Sequence, residues 1–143
     1  MSATKAFLAG KLTLKTLLST DQPANRPEIV ARLLSPGGEL TVLADGVTAI
    51  RHLAYVELRP GKVRGNHFHK FRHESFYLIN GELELQAKDI ATGEQISTRM
   101  QTGDLALIAP RVLHSFVPVT GGHALEYAPE PFDAADVYRE AQA

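Results

Sequence analysis

The chain has 143 residues, a length that fits one domain, and its 44% hydrophobic and 22% charged residues are typical of a globular protein. Fifteen Lys and Arg residues against sixteen Asp and Glu residues give a formal net charge of −1, so no overall field attracts nucleic acid or an anionic membrane. Because the sequence contains no cysteine, disulfides, thiolate metal sites and thiol catalysis are excluded. Eleven glycines and eight prolines favour short strands and turns over a helical bundle.

We expect no targeting signal at the N-terminus. The uncharged run between Lys5 and Lys11 is too short for the core of a signal peptide. No apolar stretch approaches the roughly 20 residues that span a bilayer. We find no repeat and no linker, so we expect a single domain over residues 1–143 and a cytoplasmic location.

The first half of the chain predicts a few short elements. Leu12 and Leu14 alternate with polar residues, which indicates a strand. Residues 27–34 are compatible with a short helix. The β-rich segments 39–44 and 47–58 flank Asp45-Gly46, a turn signal that predicts a hairpin.

A second hairpin is predicted around Asn80-Gly81, which suits a two-residue type I′ turn between strands 74–79 and 82–88. The register that this turn imposes places one almost wholly apolar set on one face, with Glu74 as its exception. The set is Glu74, Phe76, Leu78, Leu83, Leu85 and Ala87.

Four more short strands are predicted at 95–100, 105–109, 114–119 and 123–127, each after a Gly- or Pro-containing turn. The tail from residue 132 to 143 is predicted to be a short helix with Asp133 as its N-cap. The fold class that follows is all-β, a small antiparallel barrel or two-sheet jelly roll with a short C-terminal helix.

A pair of histidines offers candidate metal ligands. His67 and His69 are two residues apart, so in a strand both imidazoles lie on one face. If residues 70–73 are the connection, Glu74 enters from the next strand, and two imidazoles and a carboxylate converge as a divalent-metal site. The alternative is that the histidines are merely hydrogen-bonded and that Glu74 pairs with Arg64 or Arg72.

A larger pattern joins these residues. Gly61, His67, His69, Glu74 and Gly81 resemble the first signature motif of the cupin family, spacing for spacing. Residues 103–114, which end in Pro110 and His114, resemble the second motif, with Arg111 or Val112 where that family often has a turn glycine. Segments 64–70 and 89–94 look like the cupin modules of nucleotide-sugar enzymes, which assist epimerisation or isomerisation of a keto-sugar.

This resemblance implies a cupin barrel with core motifs over residues 61–119 and one divalent ion (Fe, Mn, Ni or Zn). The ion's implied ligands are His67, His69, Glu74 and His114. Four protein ligands would close a tetrahedral zinc site, whereas six-fold coordination leaves two positions for a substrate or dioxygen. His73 is expected to point outward or to lie behind the ligands, with substitution for one of them as the alternative. His52 and His123 match no motif and are expected to be surface or hydrogen-bonded residues.

We expect the protein to bind, and to transform, a small polar metabolite by Lewis-acid catalysis of isomerisation or epimerisation. Glu74 and His114 are the candidate catalytic residues, and Arg64, Phe76 and Phe116 the candidate substrate-binding residues. The alternatives are an iron-dependent dioxygenase and a non-catalytic binding or sensor domain. We expect a homodimer, with Tyr77 and Ile79 on an outer face, and no nucleic-acid or membrane partner.

Overall fold

The computed structural model describes residues 3–17, 19–20, 31–44, 46 and 49–143. Within these ranges the regular secondary structure is almost entirely β-strand, with three short 3-10 turns. The strands are Ala3–Phe7 (β1), Leu12–Thr16 (β2), Ser19–Thr20 (β3), Ala31–Ser35 (β4), Gly38–Val42 (β5), His52–Leu58 (β6), Arg64–His67 (β7), Glu74–Asn80 (β8), Glu82–Asp89 (β9), Gln95–Gln101 (β10), Asp104–Ile108 (β11), Val112–Pro118 (β12) and Gly122–Ala128 (β13).

Two antiparallel sheets pack face to face, which confirms the predicted jelly-roll architecture. One has the strand order β1-β2-β11-β8-β13-β6 and the other β10-β9-β12-β7. Their inner faces share one apolar core, in which Phe76 from the first sheet stacks on Phe116 from the second with ring centroids 4.0 Å apart. A core of this kind holds the two sheets in a fixed relation and so fixes any site built between them.

The predicted pairing of β8 with β9 is wrong, although the face assignment is confirmed. β8 pairs with β11 and β13, while β9 pairs with β10 and β12, so the Asn80-Gly81 turn crosses from one sheet to the other. The six residues of the apolar set are all buried. The alternation of apolar and polar residues indicates which face of a strand is buried. That face is the same whether the two strands pair within one sheet or lie opposite each other across the core.

The hairpin predicted around Asp45-Gly46 is also wrong. β5 pairs with β4, and β6 pairs with β13 at the edge of the larger sheet. The described part of the predicted helix at 27–34 belongs to strand β4, and its other residues lie outside the described ranges. The turn residues therefore indicated a change of direction but not the partner strand.

The third sheet, β3-β4-β5, covers part of the outer face of the larger sheet. The Tyr77 hydroxyl donates to Glu39 Oε2 at 2.9 Å and contacts Thr41, so Tyr77 is buried and Ile79 packs beside it. The face that was expected to favour dimer formation is thus covered by the chain itself.

The remaining strand predictions are confirmed as β2 and β10 to β13. The expected C-terminal helix is two 3-10 turns, Ala134–Asp136 and Glu140–Gln142, and Asp133 caps the first as predicted by accepting a hydrogen bond from the backbone N–H of Ala135. In the described ranges no helix has the length and apolar character of a membrane span.

Candidate metal centre

The histidine pair begins at the end of an edge strand of the smaller sheet. His67 ends β7 and pairs in register with His114 of β12, after which a bulge shifts the register so that Ser115 lies opposite Gly65. Gly65 and Asn66 both have positive φ, 84° and 60°. These left-handed residues turn the strand next to His114, where an added side chain at Gly65 would lie 2.9 Å from the His114 carbonyl oxygen.

Three imidazoles meet between the sheets. One ring nitrogen from each of His67, His69 and His114 lies within 4.8 Å of the others. His69 and His114 are buried and His67 is half-buried. The predicted convergence of the His-x-His pair with His114 is therefore present in the geometry.

Backbone acceptors orient two of these rings. The Nδ1 of His69 lies 2.7 Å from the carbonyl oxygen of Asp136, and the Nδ1 of His114 lies 3.0 Å from the carbonyl oxygen of Val112. A carbonyl only accepts, so each Nδ1 carries the proton and donates it. In the neutral rings the lone pair is then on Nε2, and both Nε2 atoms are buried without a hydrogen-bond partner.

Glu74 points inward as predicted, but it enters from β8 of the opposite sheet rather than from a strand beside the histidines. Its Oε2 lies 2.8 Å from the Nε2 of His114, in a geometry that does not qualify as a hydrogen bond. Burial favours the neutral carboxyl, but the His114 charge outweighs it and lowers the pKa of Glu74 to about 2. Burial likewise opposes charging of His114, but the Glu74 carboxylate raises the pKa of that imidazole.

These donor atoms suit a divalent cation. Imidazole nitrogens with a backbone carbonyl on the far ring nitrogen, together with a carboxylate, are the ligand types of zinc, iron, manganese and nickel sites. Buried polar atoms without a hydrogen-bond partner are costly, and a cation would satisfy the Nε2 of His69 together with the facing His114 Nε2 and Glu74 Oε2. His67, His69, His114 and Glu74 thus fit the predicted ion.

Two of the histidines are kept neutral. Burial, reinforced by the nearby His114 and His69, lowers the pKa of His67 to about 4. Burial also lowers the pKa of His69, although the hydrogen bond to Asp136 opposes the effect. Because ligand imidazoles must be unprotonated, these shifts favour metal binding at neutral pH.

A second carboxylate faces the same space. Glu126 of β13 accepts from the Nη2 of buried Arg72 at 3.3 Å, and the Nε2 of His52 is 3.4 Å from the same oxygen. Burial and the adjacent Glu74 charge raise the pKa of Glu126 to about 7, although Arg72 opposes this. The alternative in which Arg72 pairs with Glu74 therefore does not match the ion pairs, because the buried Arg72 pairs with Glu126.

A cavity of about 110 Å³ is bordered by the carboxylates of Glu74 and Glu126 and by the imidazoles of His67 and His114. Its lining includes the three predicted substrate-binding residues: Arg64, which is exposed, and Phe76 and Phe116, which form its apolar wall. The full lining is Arg64, Gly65, His67, Glu74, Phe76, His114, Phe116 and Glu126.

The other histidines lie outside this cavity. His73 is exposed and contacts Glu130 through Nδ1 at 2.7 Å, in agreement with the outward orientation expected for it. His123 contacts the exposed Tyr55. Arg111 has a φ of 65°, which shows that the turn often made by glycine in the second motif is kept here with an arginine.

Sequence reasoning left two residues without a role. Glu126 shares a strand face with Ala124 and Ala128, both fully buried in the structure, but the alternation of the sequence did not settle which face of this strand points inward. Asp136 falls within the predicted C-terminal helix, where no local pattern pointed to its contact with His69.

The sequence matches a protein-family model described as the polysaccharide biosynthesis C-terminal domain over residues 46–125, more than half of the chain. The chain belongs to this family. No curated protein matches it by sequence.

Solved structures similar to the chain confirm the predicted cupin fold. The 3,4-ketoisomerase from Helicobacter canadensis has a TM-score of 0.68 at 17% identity, covering 77% of this chain and 86% of its own. A 3,4-ketoisomerase variant from Thermoanaerobacterium thermosaccharolyticum, in complex with TDP-4-keto-6-deoxyglucose, has a TM-score of 0.65 at 21% identity and covers 77% and 83%.

The similarity extends to a second group. The dTDP-6-deoxy-D-glucose-3,5-epimerase from Legionella pneumophila, in complex with dTDP-4-keto-L-rhamnose, has a TM-score of 0.74 at 9% identity and covers 97% of this chain and 77% of its own. Identities this low establish a shared fold, the cupin fold of nucleotide-sugar enzymes, which is the resemblance expected from residues 64–70 and 89–94.

Proposed function

We propose that the protein is a divalent-metal-dependent cupin that isomerises or epimerises a nucleotide-linked keto-sugar. The observation that carries the proposal is the set of buried donor atoms without hydrogen-bond partners on His69, His114 and Glu74, of which His114 and Glu74 line a small cavity. The similarity to sugar ketoisomerases and epimerases supports the reaction class.

His67, His69, His114 and Glu74 would hold the ion. When bound, a divalent ion there supplies Lewis-acid polarisation of an oxygen on the substrate. Phe76 and Phe116 exclude water from this end of the cavity, which strengthens electrostatic interactions inside it.

The chemistry requires that a proton leave a carbon next to the substrate ketone and return. Return to the opposite face of the same carbon inverts it. Return to the former carbonyl carbon, while the hydroxyl on the deprotonated carbon gives its proton to the former carbonyl oxygen, moves the ketone by one position through an enediol. The predicted catalytic pair, Glu74 and His114, lies at the cavity, and Glu126 adds a carboxyl outside the three-imidazole cluster. We propose that Glu126 carries the proton while Glu74 and His114 hold the ion.

The cavity is smaller than the roughly 300–1,000 Å³ of ordinary ligand pockets, so it would take the reacting end of a substrate only. The nucleotide would lie outside, at the mouth. Arg64 is exposed there while also lining the cavity, and its guanidinium suits a phosphate oxygen of the substrate.

The test is solvent exchange at the carbons next to the ketone. Protein purified and then loaded with Zn²⁺, Mn²⁺, Fe²⁺ or Ni²⁺ is incubated in D₂O with TDP- and UDP-linked 4-keto-6-deoxyhexoses and followed by proton NMR. Loss of the proton signal next to the ketone, dependent on added metal and on Glu126, supports the proposal. Glu130→Gln, at a carboxylate paired with exposed His73, is the matched control for Glu126→Gln.

Two other outcomes would favour an alternative function over the proposed one. Oxygen consumption by the iron-loaded protein would favour the dioxygenase, and tight binding without exchange would favour the non-catalytic binding domain. The homodimer and the cytoplasmic location stay predictions.

A further inference from the structure

The C-terminal segment runs beside the loop that carries the histidine pair. The backbones of Phe68 and Tyr138 exchange two hydrogen bonds, of 2.9 and 3.0 Å. The Nη1 of Arg139 donates to the carbonyl oxygens of Gly65 and Asn66 at 3.2 and 2.9 Å. This segment therefore holds the strand end on both sides of His67.

Asp136 makes the densest set of these contacts. Its carboxylate is buried and accepts hydrogen bonds from three consecutive backbone N–H groups, those of Lys70 at 2.8 Å, Phe71 at 3.2 Å and Arg72 at 3.1 Å. A carboxylate that accepts several N–H bonds is strongly held, because each is a charge-assisted hydrogen bond. The loop after His69 is thus fixed to this one side chain.

The same residue orients the His69 ring. The Asp136 carbonyl oxygen accepts from the Nδ1 of His69 at 2.7 Å, in buried surroundings. The carboxylate holds residues 70–72 against Asp136, so it also keeps the carbonyl within reach of the ring. The result is that the His69 Nε2 is left buried with a free lone pair, in the cluster where the ring nitrogens of His67, His69 and His114 lie within 4.8 Å of one another.

We propose that Asp136 is the positioning residue of the metal centre, fixing the tautomer and direction of His69. The proposal rests on the proposed function in one respect, namely that His69 binds a metal ion. A ligand histidine that is free to rotate or to change tautomer presents its lone pair to the metal only part of the time. Loss of the hydrogen-bond partner that holds the ring therefore typically weakens metal binding 10- to 100-fold.

The experiment compares Asp136→Asn and Asp136→Ala with Asp133→Asn. Asp133 belongs to the same 3-10 turn, but its carboxylate is exposed and accepts only from Ala135. It therefore controls for loosening of the turn. Circular dichroism checks folding, and competition with a chromophoric chelator gives the dissociation constants for Zn²⁺ and Co²⁺.

We expect both Asp136 variants to bind the metals about 10- to 100-fold more weakly, and Asp133→Asn to match the wild type. A second readout needs no metal: nitrogen-15 NMR of the metal-free protein reports the His69 tautomer. The wild type is expected to carry the proton on Nδ1, and the Asp136 variants to show a mixture of both tautomers.

The experiment distinguishes failure of the proposed function from failure of the role proposed for Asp136. A wild-type protein that binds neither metal overturns the proposed function but not the tautomer result. Folded Asp136 variants with unchanged metal affinity and an unchanged His69 tautomer overturn the role of Asp136. If neither variant folds, the wild-type spectrum decides, because a proton on Nε2 of His69 would contradict the proposal.

Discussion

The Oε2 of Glu74 lies 2.8 Å from the Nε2 of His114, with both side chains buried between the two sheets. The Nδ1 of His114 already donates to the Val112 carbonyl, so a neutral ring would turn a lone pair toward the carboxylate. Two acceptors at this distance repel each other. A proton on His114 or a cation at the centre removes the repulsion, so protonation and metal binding should compete at this pair.

The first prediction concerns the charge on Glu74. In the metal-free protein, Glu74→Gln should lower the pKa of His114, because burial still disfavours the imidazolium while the carboxylate that raises its pKa is gone. Titration of His114 by NMR measures the change. Glu130→Gln, which removes a carboxylate beside exposed His73, should leave the pKa of His114 where it was. An unaltered pKa of His114 in Glu74→Gln would mean that the two groups are not coupled.

The second prediction concerns the histidine pair. Replacing both His67 and His69 with alanine should abolish stoichiometric metal in protein purified without chelators, since only one imidazole of the three-residue cluster would remain. Elemental analysis measures the content. His73→Ala is the matched control, because His73 is a neighbouring but exposed histidine paired with Glu130. Full metal content in the double variant would refute the ligand assignment.

Much of the site could be predicted from sequence because its signals are local. A two-residue spacing placed His67 and His69 together, and strand alternation placed Glu74 among apolar residues whose inward face is confirmed. Strand partners could not be predicted in the same way. The turn at Asn80-Gly81 specifies a reversal, whereas the choice between pairing and crossing to the opposite sheet depends on the whole core.

The contacts that complete the site are long-range. Glu126 comes from β13, and the orientation of His69 depends on Asp136, 67 positions away along the chain. Contacts between residues so far apart along the chain produce no periodic pattern in the sequence. The burial of Arg72 could not be predicted for the same reason, because it depends on the distant partner Glu126.

The third prediction is a pH dependence of stability in the metal-free protein. The pKa of His67 is lowered to about 4 in the folded state from an ordinary value near 6.5. Between these values the unfolded chain binds a proton that the folded chain does not, so acidification through this window reduces the free energy of unfolding. The lowered pKa of His69 acts in the same direction, and the raised pKa of His114 acts against it.

His67→Asn should therefore lose less stability than the wild type between pH 6.5 and 4. Urea denaturation at a series of pH values, with chelator present throughout, measures this slope. His73→Asn serves as the control for a histidine outside the cavity. A slope in His67→Asn as steep as in the wild type would show that His67 does not resist protonation in the fold.

The last prediction compares two glycines with similar backbone conformations. Gly65 has a φ of 84° and Gly93 a φ of 78°, so alanine at either position adopts a left-handed conformation that costs about 1–2 kcal/mol. The surroundings differ: a Cβ at Gly93 meets nothing within 4 Å, whereas one at Gly65 lies 2.9 Å from the His114 carbonyl oxygen. The free energy of unfolding of Gly65→Ala should therefore fall by about 1–3 kcal/mol more than that of Gly93→Ala, because the added methyl group overpacks the site.

The crowding at Gly65 also bears on the metal centre, because relief requires β7 to move away from β12 and with it His67 from His114. We expect Gly65→Ala to bind Zn²⁺ at least tenfold more weakly in the chelator competition, while Gly93→Ala keeps the wild-type affinity because it is strained but distant from the site. Equal affinities in the two variants would show that the close approach of β7 to His114 is not needed to bring the imidazoles together.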